Sequence, residues 1–140
     1  MDVMEILKAY AEEIDVVMDD SLSKLEPESL YESSEYLIKA GGKKFRPALT
    51  LLSCQAVGGK PEKALKAAAA IELTHTFSLI HDDIMDNDDT RRGKPAVHKV
   101  WGEPLAILAG DSLFAKSFEL LSQSAEDNIA YERVVDALQV

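Results

Sequence analysis

Glycine and proline punctuate this chain only at wide intervals, and between them apolar residues recur at three and four rather than at every second position. That spacing belongs to amphipathic helices, and the alternation of a half-buried strand is absent. Val3, Ile6, Leu7, Tyr10, Ile14, Val17 and Met18 trace a first helix. Pro27-Glu28 opens a second, with Leu30, Tyr31, Leu37 and Ile38 apolar, and Gly41-Gly42 stops it. A third starts near Pro47 and ends at Gly58-Gly59. Pro61 suits the first turn of a fourth, whose alanine-rich start is among the best helix-forming sequence in the chain. Thr90 to Pro95 reads as a loop, followed by a short turn ending at Trp101-Gly102. A fifth long helix covers about Pro104 to Ser122, and a sixth begins near Ala125. The expected fold is all-α, without repeats, low-complexity linkers or an internal domain boundary.

Length and charge bound what such a fold could do. At 140 residues the chain fits one domain with a real core. A formal net charge of −10 argues against nucleic acid or an anionic membrane as partner, since both want a basic footprint. No apolar run approaches the ~20 residues a membrane span needs. Met1-Asp2-Val3-Met4-Glu5 lacks the basic start of a secretion signal. Cys54 is the single cysteine, excludes an intrachain disulfide, and reads as a core residue. A cytoplasmic protein is expected.

The fourth helix delivers an acidic cluster. Asp82, Asp83, Asp86, Asp88 and Asp89 put five carboxylates within eight residues, behind the apolar stretches Ala67-Ala68-Ala69-Ala70-Ile71 and Phe77-Ser78-Leu79-Ile80. Asp82 and Asp86 are one turn apart, where like charges repel by a few tenths of a kcal/mol. At least one of them is expected to face partly buried surroundings, so a divalent cation is the natural compensation. Oxygen-only ligands suit Mg²⁺, which takes one or two carboxylates together with substrate phosphates. Arg91, Arg92 and Lys94 follow at once and suit the same phosphates. A solvated helix end is the alternative, but a buried helix carrying five acids at its tip is poorly explained by solubility.

A second basic segment, Gly41-Gly42-Lys43-Lys44-Phe45-Arg46-Pro47, lies between two helices. Its glycines let backbone approach a ligand closely, and Lys43 and Arg46, three apart at a helix start, can point the same way. A helix N-terminus adds N–H donors and partial positive charge. The alternative is a Gly-Gly cap followed by solvated basic residues. His75 precedes Asp82 by seven residues, which on an ideal helix brings the two within about 20° of each other. A core histidine is the competing reading. Three signals converge on a small anionic ligand.

Taken together, Gly41-Gly42-Lys43-Lys44-Phe45-Arg46-Pro47, Asp82-Asp83-Ile84-Met85-Asp86 and Arg91-Arg92-Gly93 resemble the trans-isoprenyl diphosphate synthases, the family of farnesyl and geranylgeranyl diphosphate synthases. Leu79-Ile80-His81-Asp82-Asp83 and Ala109-Gly110-Asp111 add to the match, which covers essentially the whole chain. The resemblance implies a helical bundle of the isoprenoid synthase type and a prenyltransferase that condenses an allylic diphosphate with isopentenyl diphosphate. It implies Mg²⁺ on Asp82 and Asp86, with Asp83 completing the motif and Arg91 on the allylic diphosphate. Lys43, Arg46, His75 and Arg92 match positions that hold isopentenyl diphosphate; Lys44 stands where many members have arginine and carries no diphosphate role. Phe77 and Ser78, just before the acidic motif, match positions that set product length. One aromatic beside one small residue resembles the short-chain pattern, and geranylgeranyl diphosphate is expected, with farnesyl diphosphate as intermediate or co-product.

Small-molecule substrates and a homodimer are implied in the same way. Family members are more than twice as long and carry a second Asp-rich motif that nothing after Asp111 replaces. Ile129, Val134, Val135 and Leu138 also leave a helical pattern running to Val140. Residues 1–140 are therefore expected to form the N-terminal portion of one synthase domain, inactive alone. Two rivals are a non-catalytic subunit of such an enzyme and a terpene cyclase. The intact set of basic and acidic residues disfavours the first, and the Lys43/Arg46 segment, which a cyclase does not need, disfavours the second.

Overall fold

The chain folds around one central helix that other helices surround on several sides. In a computed structural model, which describes residues 2–125 together with 132, 133 and 136, the order is α1 (Val3–Leu22), α2 (Glu28–Lys39), α3 (Phe45–Ala56), α4 (Pro61–Met85), β1 (Thr90–Arg91), β2 (Lys94–Pro95), α5 (Val97–Trp101) and α6 (Glu103–Ser124). Of the helix expected from Ala125 onward, Ile129, Val134, Val135, Leu138 and Val140 lie outside the described residues.

Helix α4 is the axis, and α6, α3 and α1 pack on it. A helix enclosed in this way needs no strongly polar stripe along its first turns. Ala68, Ala69, Ala70, Leu73 and Ile80 are fully or almost fully buried there. They meet Ile14, Met18 and Leu22 of α1, Leu37 of α2, Leu51 of α3 and Leu113 of α6 in one cluster. Each leucine-sized side chain so buried contributes about 1.5–3 kcal/mol. The alanine triplet lets neighbouring backbones come close, and Gly110 takes this further on α6. A Cβ at Gly110 would stand 2.2 Å from Nε2 of His81, so no side chain fits there. Glycine inside a helix costs about 1 kcal/mol, and here it lets the Nε2 end of the His81 ring of α4 come against α6. That ring also meets Phe77 edge-on at 5.7 Å and approaches the Ile107 carbonyl at 3.1 Å.

The stretch expected as a loop between α4 and α5 is a minimal antiparallel hairpin, with Thr90 opposite Pro95 and Arg91 opposite Lys94. Its turn residues, Arg92 at φ 54° and Gly93 at φ 75°, take the left-handed backbone that tight hairpins demand. Two residues per strand are too few to leave an alternation in the sequence. Cys54, expected in the core, is half-buried, with Sγ 3.5 Å from the Lys60 carbonyl.

Candidate active site

The C-terminal end of α4, the α2–α3 loop and the hairpin meet on one side of the molecule. The acidic cluster separates there into members with different tasks. Asp83 is fully buried and receives the Arg91 guanidinium on both oxygens: Nε lies 3.0 Å from Oδ1 and 3.3 Å from Oδ2, and Nη2 also donates to Oδ1. This fork-on-carboxylate geometry is the strong form of an ion pair. It raises the Arg91 pKa, chiefly through the hydrogen bonds to Asp83. Asp88 lies at the edge of the same group, 3.8 Å from Arg91. Asp89 pairs with Lys99 at 2.8 Å, which lowers its pKa.

Asp82 and Asp86 remain. Both are exposed, and among the described residues neither carboxylate has a hydrogen-bond or ion-pair partner. The expectation that one of them faces partly buried surroundings is corrected: the buried member is Asp83. The reason is helical phase, since Asp83 turns toward the hairpin while Asp82 and Asp86 share the outer face. Two unpaired carboxylates one turn apart are hard oxygen donors on an open surface, and they fit a Mg²⁺ ion that draws its other ligands from phosphate and water. Among the described residues no three metal-ligating side chains converge, so these residues offer a pair and no closed cage.

The basic half of the site is built by the α2–α3 loop and the hairpin. Arg92 Nη1 donates to the Leu37 carbonyl at 2.9 Å and to the Gly41 carbonyl. This double anchor over-determines a residue whose left-handed backbone would otherwise be unfavourable. The glycines were expected to admit a ligand, yet what comes closest to Gly42 is this side chain. A Cβ at Gly42 would lie 3.0 Å from the Arg92 guanidinium, and Gly41 itself needs φ 90°. Lys44, at φ 44°, pairs with Asp15 of α1. Lys43 is exposed, two residues before the first turn of α3.

Arg46 Nη1 approaches His75 Nε2 at 3.4 Å, joining α3 to α4. Burial, and then the positive charges of Arg46, Arg92 and Arg91, lower the His75 pKa, so this ring is neutral at pH 7. A neutral Nε2 can accept the Arg46 N–H. The structure thus gathers Arg46, His75 and Arg92 in one electropositive group, while Lys43 stands exposed next to Gly42 in the chain.

Below that group a cavity of about 330 Å³ is lined by Arg46, Ile71, Thr74, His75, Phe77 and Ser78. Ser78 Oγ donates to the His75 carbonyl at 2.7 Å, which uses its polarity within the helix. Phe77 also reaches α6, where its ring meets Phe114 at 5.0 Å. Both length-setting candidates therefore line one space with two of the basic candidates.

Inspection of the sequence missed two things. The Asp83–Arg91 pair follows from a hairpin that folds back onto α4. Glu72, a carboxylate 4% exposed on α4, carried a visible signal, an acid within an apolar run three residues before His75.

Comparison with known proteins gives a consistent picture. The family model described as polyprenyl synthetase matches residues 27–140. A short chain isoprenyl diphosphate synthase of Methanothermobacter thermautotrophicus is 58% identical over 132 residues, covering 94% of this chain and 41% of that protein. A geranylgeranyl diphosphate synthase of Methanosarcina mazei is 47% identical, covering 99% of this chain and 43% of the relative. Among solved structures, geranylgeranyl pyrophosphate synthetase from Pyrococcus horikoshii superposes with a TM-score of 0.89 at 44% identity, over 96% of this chain and 42% of the other. The chain thus spans about two fifths of the length of these relatives.

Proposed function

The chain belongs to the polyprenyl synthetase family, and on that footing we propose that it is the N-terminal portion of a short-chain trans-isoprenyl diphosphate synthase. The reaction joins an allylic diphosphate to isopentenyl diphosphate with loss of inorganic diphosphate and a proton. The observation that carries this reading is the sorting of charge. Asp82 and Asp86 stand unpartnered among the described residues at the end of α4, the helix whose His75 joins Arg46 in an electropositive group with Arg92.

Asp82 and Asp86 would hold Mg²⁺, which neutralises the allylic diphosphate and improves it as a leaving group. Arg91, kept in place by Asp83, presents the rest of its guanidinium to the same diphosphate. Arg46, Lys43, His75 and Arg92 hold the diphosphate of isopentenyl diphosphate, and so fix its double bond relative to the allylic carbon. Most of the catalysis then lies in positioning and preorganised charge. A homodimer is part of the same proposal; the exposed apolar side chains of α6, Ile107, Leu108, Phe114 and Phe118, are available to the rest of the synthase domain or to a second subunit.

The two-substrate assignment is tested by a split in apparent affinities. In a synthase containing this segment, Lys43→Ala and Arg46→Ala raise the KM for isopentenyl diphosphate by about ten- to hundredfold, the equivalent of ~1.5–3 kcal/mol per charge-assisted contact. Arg91→Lys keeps a charge beside Asp83 but loses the fork, and it chiefly weakens the allylic substrate. Steady-state kinetics with each substrate varied in turn decides the matter; one common pattern for both groups of variants removes the two-site reading.

Product length has its own test. Phe77 and Ser78 line the 330 Å³ cavity, and we propose geranylgeranyl diphosphate as main product, with farnesyl diphosphate as intermediate or co-product. Ser78→Phe fills the cavity and shortens the product, whereas Phe77→Ser opens it and lengthens the product. Chromatography of the prenyl alcohols reads the distribution, and an unchanged profile for Phe77→Ser places the floor elsewhere.

A further inference from the structure

Glu72 has no part in the mechanism above, yet it is buried on the helix that carries His75, where charges of the basic group act on it. It is 4% exposed, one turn before His75 on α4. The charged groups acting on its carboxylate come from three other directions: Arg92 of the hairpin, Lys44 and Arg46 at the start of α3, and Asp15 of α1. Arg92 is already fixed by the Leu37 and Gly41 carbonyls, and Lys44 by Asp15. These two cations do not need Glu72 for their orientation. A buried carboxylate acted on by cations that are held by other groups is an offset to their charge. Burial raises its carboxyl above the ordinary glutamate value, against the pull of Arg92, Lys44 and Arg46.

A second anion brought to the same cations competes with Glu72 for them. Like charges in partly buried surroundings are weakly screened, so each disfavours the ionised form of the other. Resting on the reading of Lys43, Arg46, His75 and Arg92 as a diphosphate site, we propose that Glu72 is an internal counter-charge that limits the affinity of that site and takes up a proton from solvent when a diphosphate binds. No other bond changes: the carboxylate gains one proton on binding and returns it on release. The consequence is a site that holds its substrate less tightly than its cations alone would, and so lets it go more readily.

Calorimetric titration of a synthase containing this segment with isopentenyl diphosphate in the presence of EDTA tests this, because removal of divalent metal leaves only the basic site to bind. At pH 8 Glu72→Gln binds about tenfold more tightly than the unmodified synthase, the size expected for one unit charge several ångströms away at an intermediate dielectric. As pH falls, Glu72 becomes protonated and the ratio of the two affinities declines toward one. Titration of the diphosphate and of His75 is common to both proteins and largely cancels in that ratio. Equal affinities at every pH overturn the proposal. Weaker binding by Glu72→Gln also overturns it, since a strut rather than an offset would then be the role.

A ¹³C-detected titration of the Glu72 carboxyl in the unmodified synthase supplies a check that needs no variant. Its midpoint rises when isopentenyl diphosphate saturates the site, and an unmoved midpoint overturns the proposal. If the unmodified synthase fails to bind isopentenyl diphosphate, the basic-site reading falls and takes this inference with it. Binding that ignores Glu72 removes the inference alone.

Discussion

Asp82→Ala and Asp86→Ala, each placed in a synthase containing this segment, lower turnover by about three orders of magnitude, the equivalent of ~4 kcal/mol of lost Lewis-acid stabilisation. Neither substitution harms the fold. Both carboxylates are exposed and take no hydrogen bond or ion pair among the described residues, so their removal leaves nothing buried and unpaired. Stability changes by no more than ~0.5 kcal/mol, and relief of the one-turn repulsion works slightly in its favour. The two measurements are steady-state prenyl transfer at saturating Mg²⁺ and a thermal melt of the same preparation. Near-normal turnover in either variant would remove the metal assignment. A lowered melting temperature would mean that the carboxylates serve the helix end itself.

Arg91→Ala has the largest expected effect on stability, about 3–5 kcal/mol, because it strands a buried charge. The Asp83 side chain is 1% exposed, and Arg91 supplies its hydrogen bonds from two nitrogens. The reverse change, Asp83→Asn, costs less. The guanidinium it leaves behind is 30% exposed and can turn to water. Denaturant unfolding of the chain gives the order directly. If Asp83→Asn proved the more damaging, packing around α4 and not the orphaned charge would dominate. The asymmetry also explains why Arg91→Lys is the better probe of substrate binding than Arg91→Ala.

Much of the architecture was legible because helices leave a period in the sequence. Val3 through Met18, Pro27-Glu28 and Pro61 placed the starts of α1, α2 and α4 within a residue or two. The α4 end with Asp82 and Asp86 was also readable from spacing along one helix, whereas the approach of Arg46 to His75 joins two helices and was implied only by the resemblance. What was not readable depends on the chain returning to itself. Asp83 and Asp82 are neighbours in sequence, and only the path of the hairpin decides that one is buried under Arg91 while the other is exposed. Gly42 was expected to let a ligand approach and Gly110 entered only with the Ala109-Gly110-Asp111 match, but what crowds each is a side chain from a distant element, Arg92 and His81. Glu72 stood in view as an acid in an apolar run, and its setting needed Lys44, Arg46 and Arg92 to be brought near it from elsewhere.

The two hairpin arginines are consecutive in the chain, yet they grip different parts of it. Arg91 holds α4 through Asp83, and Arg92 holds the junction of α2 and α3 through the carbonyls of Leu37 and Gly41. A single peptide unit thus ties the acidic end of one helix to the glycine loop between two others. The separation of the two charged regions is thus held by a covalent link as well as by the packing of α3 on α4. Lengthening the hairpin by one residue would therefore act as a change of gauge: each half could keep its own contacts, but the covalent hold on the spacing between them would be lost.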